Sequence, residues 1–149
     1  MLEEKMHGRY LGVDYGDVRT GLAISDLSGY LAGGIGQVSP GGMRHTAQYV
    51  AEEAKKQGAV RIIIGLPKNM DGSEGFRAEA VRAFAALLRE ETDIPVDFSD
   101  ERLSTCEAHR YLQGTGTGGK KRKQVVDTLS AQIILQDYLD REKNQRPLA

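Results

Sequence analysis

Residues 10–21, YLGVDYGDVRTG, set an aspartate inside an apolar strand and then turn the chain back within two residues. Residues 9–15 and 18–26 read as two strands, and the Gly16-Asp17 step between them suits a tight hairpin with glycine at a positive-φ position. A two-residue turn sets Asp14 opposite Arg19 and Gly12 opposite Gly21. Alternation puts Gly12 and Asp14 on one face, with Leu11, Val13 and Tyr15 on the other. A cross-strand Asp14–Arg19 ion pair is worth roughly 0.2 to 1 kcal/mol, whereas withdrawing a carboxylate from water within a sheet costs several kcal/mol. The pair alone does not offset that loss. Gly12 and Gly21 also leave the face bare, so a bulky group can approach Asp14. A divalent cation compensates a desolvated carboxylate more strongly, and Mg²⁺ takes a few carboxylates while keeping waters and phosphate oxygens in its shell.

Outward from the hairpin, YLAGGIGQV (residues 30–38) predicts a third strand, followed by a Pro40-Gly41-Gly42 loop. MRHTAQYVAEEAKKQG predicts a helix capped by Gly58, with Lys55 and Lys56 at the negative end of its dipole. VRIIIGLP is a continuous apolar run that fits a strand buried on both faces. After an Asp-Gly turn in KNMDGSEG, the residues Phe76, Ala80, Phe84, Leu87 and Leu88 recur at helical intervals. IPVDFSDERL supplies a further short strand ending in acids, and Ser104-x-x-Glu107 forms a capping box that opens a short helix through Leu112. GTGTGG breaks regular structure before a long terminal helix from KKRK onward. The order βββαβαβαα implies an α/β protein with a mixed five-stranded sheet and helices on both faces, joined by right-handed crossovers. The ribonuclease H-like fold satisfies it. One domain is expected over 9–143, with tails at 1–8 and 144–149.

The bulk properties fit that size. The chain has 149 residues, 40% hydrophobic and 28% charged, with a net charge of −1 and a pI near 6.3. Whole-protein charge therefore draws it to neither nucleic acid nor membrane, and any phosphate affinity must be local. Cys106 is the single cysteine, and His7, His45 and His109 are too far apart in sequence for a local metal motif. The N-terminal MLEEKMHG lacks an apolar leader core, and no apolar run approaches the ~18 residues of a membrane span. A cytoplasmic location without membrane association is expected.

Other acids must converge on Asp14. Asp100 and Glu101 sit where the last strand runs out, and alternation at a strand terminus does not choose between them. Asp127 lies near the start of the terminal helix, in line with Ala131, Ile134 and Tyr138, so it borders the buried stripe. Glu107 is accounted for by its capping box. Lys120, Lys121, Arg122 and Lys123 follow a glycine-rich loop and oppose the helix dipole, a cost that phosphate neutralisation would offset. No aromatic platform for base stacking accompanies this run.

LGVDYGDVRTGLAISD, IIIGLPKNMDGSEG, DERLSTCEAHR and KKRKQVVDTLSAQIILQDYL together closely resemble the YqgF family, also called RuvX, in the right order over nearly the whole chain. Its members are small bacterial proteins similar to Holliday junction resolvases and described as nucleases maturing the 5′ end of pre-16S ribosomal RNA. The resemblance implies a ribonuclease H-like fold and a Mg²⁺ or Mn²⁺ site on Asp14, Glu101 and Asp127, which favours the glutamate over Asp100. Arg19, Arg102, Lys120, Lys121, Arg122 and Lys123 would then position phosphates. More distant four-acid resolvases carry a glutamate where this chain has GLPKN, and an acid or histidine where it has Gln124. Asp71 is the nearest replacement for the first, although its Asp-Gly turn explains it.

The expected substrate is pre-rRNA, within a ribosomal precursor, with a monomer or weak homodimer as the acting species. Two readings compete: a Holliday junction resolvase acting on branched DNA, and a non-catalytic RNA-binding ribosome-assembly factor. A nucleotide-binding reading of GVDYG meets the objection that actin-like ATPases clamp nucleotide between two such domains, more than 149 residues supply.

Overall fold

In a computed structural model, residues 8–16, 18–38, 41–100 and 119–145 are described, with side chains of the last segment described over 128–143. Five strands, β1 (Arg9–Asp14), β2 (Thr20–Ser25), β3 (Ala32–Val38), β4 (Ala59–Leu66) and β5 (Val96–Asp100), form one sheet in the order β3-β2-β1-β4-β5. The hairpin strands pair antiparallel, while β1, β4 and β5 run parallel. Helices α1 (Met43–Lys56) and α2 (Phe76–Glu91) belong to the crossovers, and α3 (Gly119–Gln145) closes the order. The short helix expected from Ser104 to Leu112 lies outside the described residues.

The hairpin differs from the two-residue turn expected. Asp14 pairs with Gly21 and Gly12 with Ala23, so residues 15–19 form the connection and Arg19 is not Asp14's cross-strand neighbour. Gly16 is not among the positive-φ glycines. It is required for another reason: a Cβ there would collide with the carbonyl oxygen of Arg19. Tyr15, just past the last ladder pair, stacks its ring on Phe84 of α2, 4.3 Å between centroids, a contact that adds to the burial of that face.

Alternation holds elsewhere. Leu11, Val13, Leu22, Ile62 and Ile64 face Val50 of α1 and Phe84 and Leu88 of α2. Tyr10, Ala23 and Ile63 face Ala131, Ile134, Leu135 and Leu139 of α3. Ile62, Ile63 and Ile64 are all fully buried, as expected of a strand covered on both sides. Helix α1 ends as read from its sequence, with Gly58 at φ 70° and its N–H donating to the Lys55 carbonyl. Phe76 corrects the expected stripe of α2. The buried residues are Ala78, Val81, Phe84, Ala85 and Leu88, and Phe76, the helix's first residue, is 80% exposed.

Helix α3 lies close on the sheet at Gly12. A Cβ on Gly12 would sit 2.7 Å from Leu135 Cβ and 3.0 Å from the Ala131 carbonyl oxygen. A hydrogen-bonded cluster fixes the helix farther along: Tyr10 donates to Glu142 at 2.8 Å, Arg61 to Tyr138 at 2.9 Å, and Tyr138 to Asp97 at 2.8 Å. Gln136 accepts from the Ala32 N–H and donates to the Tyr30 carbonyl, tying down the edge strand.

Two predictions follow from this packing. Gly12→Ala overfills the contact and should lower unfolding free energy by about 1–3 kcal/mol. Gly33→Ala, where a Cβ meets nothing within 4 Å, should change it by about 0.5 kcal/mol or less; denaturant titration of both variants checks the pair. Burial, reinforced by the Glu142 carboxylate, pushes the Tyr10 phenol up to about 12. A raised phenol pKa means the folded state holds its proton more tightly, so this contribution is intact below pH about 10 and lost as pH rises through about 12. Thermal unfolding across that window should fall less steeply in Tyr10→Phe than in the parent protein.

Candidate active site at the C-terminal edge of the sheet

Asp14 is the last residue of β1, at the edge where the parallel strands β1, β4 and β5 all end. That edge is where open α/β sheets form ligand sites. Its side chain is half-buried, on the α3 face with Gly12, as alternation requires. The row across the sheet at this level is nearly bare. Gly21 stands opposite Asp14 on β2, and Gln37 stands opposite Gly21 on β3. On the other side Gly65 of β4 pairs with Ser99 of β5. Gln37 Oε1 is buried and has no hydrogen-bond partner among the described residues. Sequence reading missed it; the available signal was a lone amide at the end of an apolar strand.

The direction of α3 bears on the site. Tyr10 meets Tyr138 and Glu142, whereas Gly12, two residues later, meets Ala131 and Leu135. Helix and strand therefore run antiparallel, and earlier turns of α3 go with later residues of β1. Asp127 is one turn before Ala131, about 6 Å along the helix axis. It and Lys120, Lys121, Arg122 and Lys123 lie within α3, where their backbone alone is described.

Strand β5 fixes the face of Asp100, the one of the two acidic candidates at its end that is described. Asp97 and Ser99 face α3, accepting from Tyr138 and Arg141 respectively. Val96 and Phe98 pack into the opposite core with α1 and α2, and alternation places Asp100 with them. Asp100 is thus on the other face from Asp14. Glu101 and Arg102 lie outside the described residues. Arg19 sits in the hairpin connection immediately before Thr20. Asp71 serves its own turn, accepting from the Ser73 N–H at 2.9 Å and hydroxyl at 2.6 Å, with Gly72 at φ 90°.

Among the described residues no three His, Cys, Asp or Glu side chains gather as a metal site; of the expected trio, only Asp14 has a described side chain. Carboxylate oxygens are the donor type that Mg²⁺ and Mn²⁺ prefer, and Asp14 supplies one such group at this edge. No helix among the described residues is long and apolar enough to cross a membrane.

Similarity to known proteins agrees with this geometry. A protein of Caldanaerobacter subterraneus subsp. tengcongensis named "Putative pre-16S rRNA nuclease" is 45% identical over 137 residues, covering 91% of this chain and 99% of its own. A protein of the same name from Ligilactobacillus salivarius is 42% identical over 136 residues, covering 89% and 92%. Among solved structures, T. thermophilus RuvC in complex with a Holliday junction substrate superposes with a TM-score of 0.59 at 15% identity, over 95% of this chain and 100% of that one. Fowlpox virus resolvase with Holliday junction DNA gives 0.56 at 12% identity, over 90% and 98%. These two likenesses establish the ribonuclease H-like fold. Residues 8–141 match the family described as RuvX, Holliday junction resolvase, and the chain belongs to that family.

Proposed function

We propose that this protein is a metal-dependent nuclease that hydrolyses phosphodiester bonds in maturing the 5′ end of pre-16S rRNA in the cytoplasm. The observation that carries the reading is the half-buried Asp14 carboxylate at the strand-end edge, flanked on the neighbouring strands by Gly21 and Gly65, with α3 running antiparallel above it. The antiparallel course of α3, with Ala131 and Leu135 over Gly12, supports Asp127, one turn earlier, as the partner of Asp14. The alternation of β5 supports Glu101 over Asp100, because Asp97 and Ser99 share the face of Asp14. The names of the relatives support rRNA as substrate.

In this reading Asp14, Glu101 and Asp127 hold one or two Mg²⁺ or Mn²⁺ ions. A bound divalent cation supplies water activation near neutral pH and charge neutralisation at the phosphate. The protein's own part is orientation. Arg19, Lys120, Lys121, Arg122 and Lys123 hold the backbone phosphates, with Arg102 beside Glu101, so that the scissile phosphate lies over Asp14. Residues 9–143 act as one domain, flanked by tails at 1–8 and 144–149, and a monomer suffices to trim one RNA end.

Asp14→Asn keeps the size of the side chain and removes its charge. Cleavage of a pre-16S leader RNA in Mg²⁺ or Mn²⁺ should drop on the order of 100-fold or more, with thermal stability retained. A variant cutting at the parent rate, free of contaminating nuclease, would refute the site. Faster cutting of a synthetic four-way DNA junction than of the leader RNA would transfer the reading to branched DNA. RNA binding with neither metal uptake nor cleavage would make the protein an assembly factor. For the basic run, log Kd against log salt should lose about 0.7 in slope for each of Lys120, Lys121, Arg122 and Lys123 that pairs with a phosphate of a single strand; glutamine replacement with binding isotherms at several salt concentrations measures it.

A further inference from the structure

We propose that Phe76 and Arg77, at the start of α2, form a nucleotide-binding shelf on which a base of the bound single strand next to the scissile phosphate stacks. The proposal rests on the nucleic-acid reading above, though not on the metal site. Three observations converge. Phe76 is 80% exposed although the same helix buries Ala78, Val81 and Phe84. Of the three arginines of α2, Arg82 is held by Glu74 at 2.8 and 2.9 Å and Arg89 by the Val96 carbonyl at 3.1 Å. Exposed Arg77 makes no hydrogen bond or ion pair among the described residues. Finally, Phe76 and Arg77 share a notch of about 60 Å³ with Tyr15 and Gly16.

The notch fixes the occupant. Tyr15 follows Asp14 directly, with α-carbons about 3.8 Å apart, and its ring packs on the α2 side, so the shelf lies at the same strand-end edge as the proposed cleavage centre, on the face opposite the Asp14 carboxylate, where a nucleic-acid strand crossing that edge passes over both. A volume of about 60 Å³ is too small to enclose a nucleoside, so a base must lie open against the phenyl ring. That is how aromatic platforms bind single strands without regard to sequence. The Arg77 guanidinium beside the ring can pair with the adjoining phosphate. A protein partner is disfavoured, because one ring beside a small notch falls far short of the roughly 800 Å² per partner that stable association uses. The basic run at the start of α3 brings no aromatic with it, and Phe76 supplies one from another element.

The test is fluorescence anisotropy of labelled single-stranded RNA of about ten nucleotides, in EDTA so that cleavage does not enter. It compares the parent protein, Phe76→Ala, Phe76→Tyr and Arg77→Gln on an ordinary and on a fully abasic oligonucleotide. Phe76→Ala should weaken binding of the ordinary strand by about 5- to 150-fold, leave the abasic strand unchanged, and be rescued by Phe76→Tyr. Arg77→Gln should weaken both strands and reduce the salt dependence. Equal affinity of Phe76→Ala and parent for the ordinary strand, or equal loss on both strands, overturns the shelf. The shelf is read from binding in EDTA and the metal site from cleavage in Mg²⁺ or Mn²⁺, so failure of the one and failure of the other read out separately.

Discussion

The close contact between α3 and Gly12 of β1 is the constraint on which the rest of the molecule depends. Helix axes usually stand off a sheet by the length of the intervening side chains. Here the strand contributes no side chain, and the Ala131 backbone and Leu135 take that space. The contact sets the height of the helix over the sheet, and the Tyr10, Arg61, Tyr138, Asp97 and Glu142 cluster sets its direction. The chain of bonds from Arg61 to the Tyr138 hydroxyl and on to Asp97, beside the bond from the buried Tyr10 phenol to Glu142, admits few alternative arrangements. Two fixed points along one helix determine its line, and therefore which turn comes nearest the end of β1.

The opposite face of the sheet makes that edge rigid. Phe84 and Leu88 of α2 and Val50 of α1 pack on Leu11, Val13, Ile62 and Ile64 without solvent exposure. Asp14 is therefore held by a strand whose inward neighbours cannot move, while its own carboxylate reaches a row with little side-chain bulk. Such an arrangement suits a group that must keep its position while its ligands change. Tyr15 extends the same rigidity into the hairpin connection, since its stacking on Phe84 joins the end of β1 to α2. The residue carrying the proposed chemistry and the helix offering the exposed ring are thereby coupled through one aromatic pair.

Local sequence carried much of this. The strands, the faces of Gly12 and Asp14, the doubly buried VRIIIGL run and the Gly58 cap depend on nearest-neighbour sterics and on periods of two and 3.6, which a chain displays before it folds. The Asp127, Ala131, Ile134 and Tyr138 line was legible for the same reason: Ala131 and Ile134 bury against the sheet and Tyr138 packs half-buried beside them. Family resemblance, spread over motifs from both ends of the chain, named the acids that periodicity left open.

What the sequence by itself determined is the set of elements, their buried faces and the family to which the chain belongs. Tertiary structure alone decided the hairpin register, in which the ladder ends at Asp14 and Gly21 and the Tyr15 ring stacks on a distant helix. It also decided that the bare face at Gly12 receives α3 rather than standing open, that Asp100 turns away from Asp14, and that Phe76 points outward at the head of an otherwise buried stripe. Each of these depends on contacts between residues far apart in the chain. Their energies come from packing volume and desolvation, which periodicity does not encode.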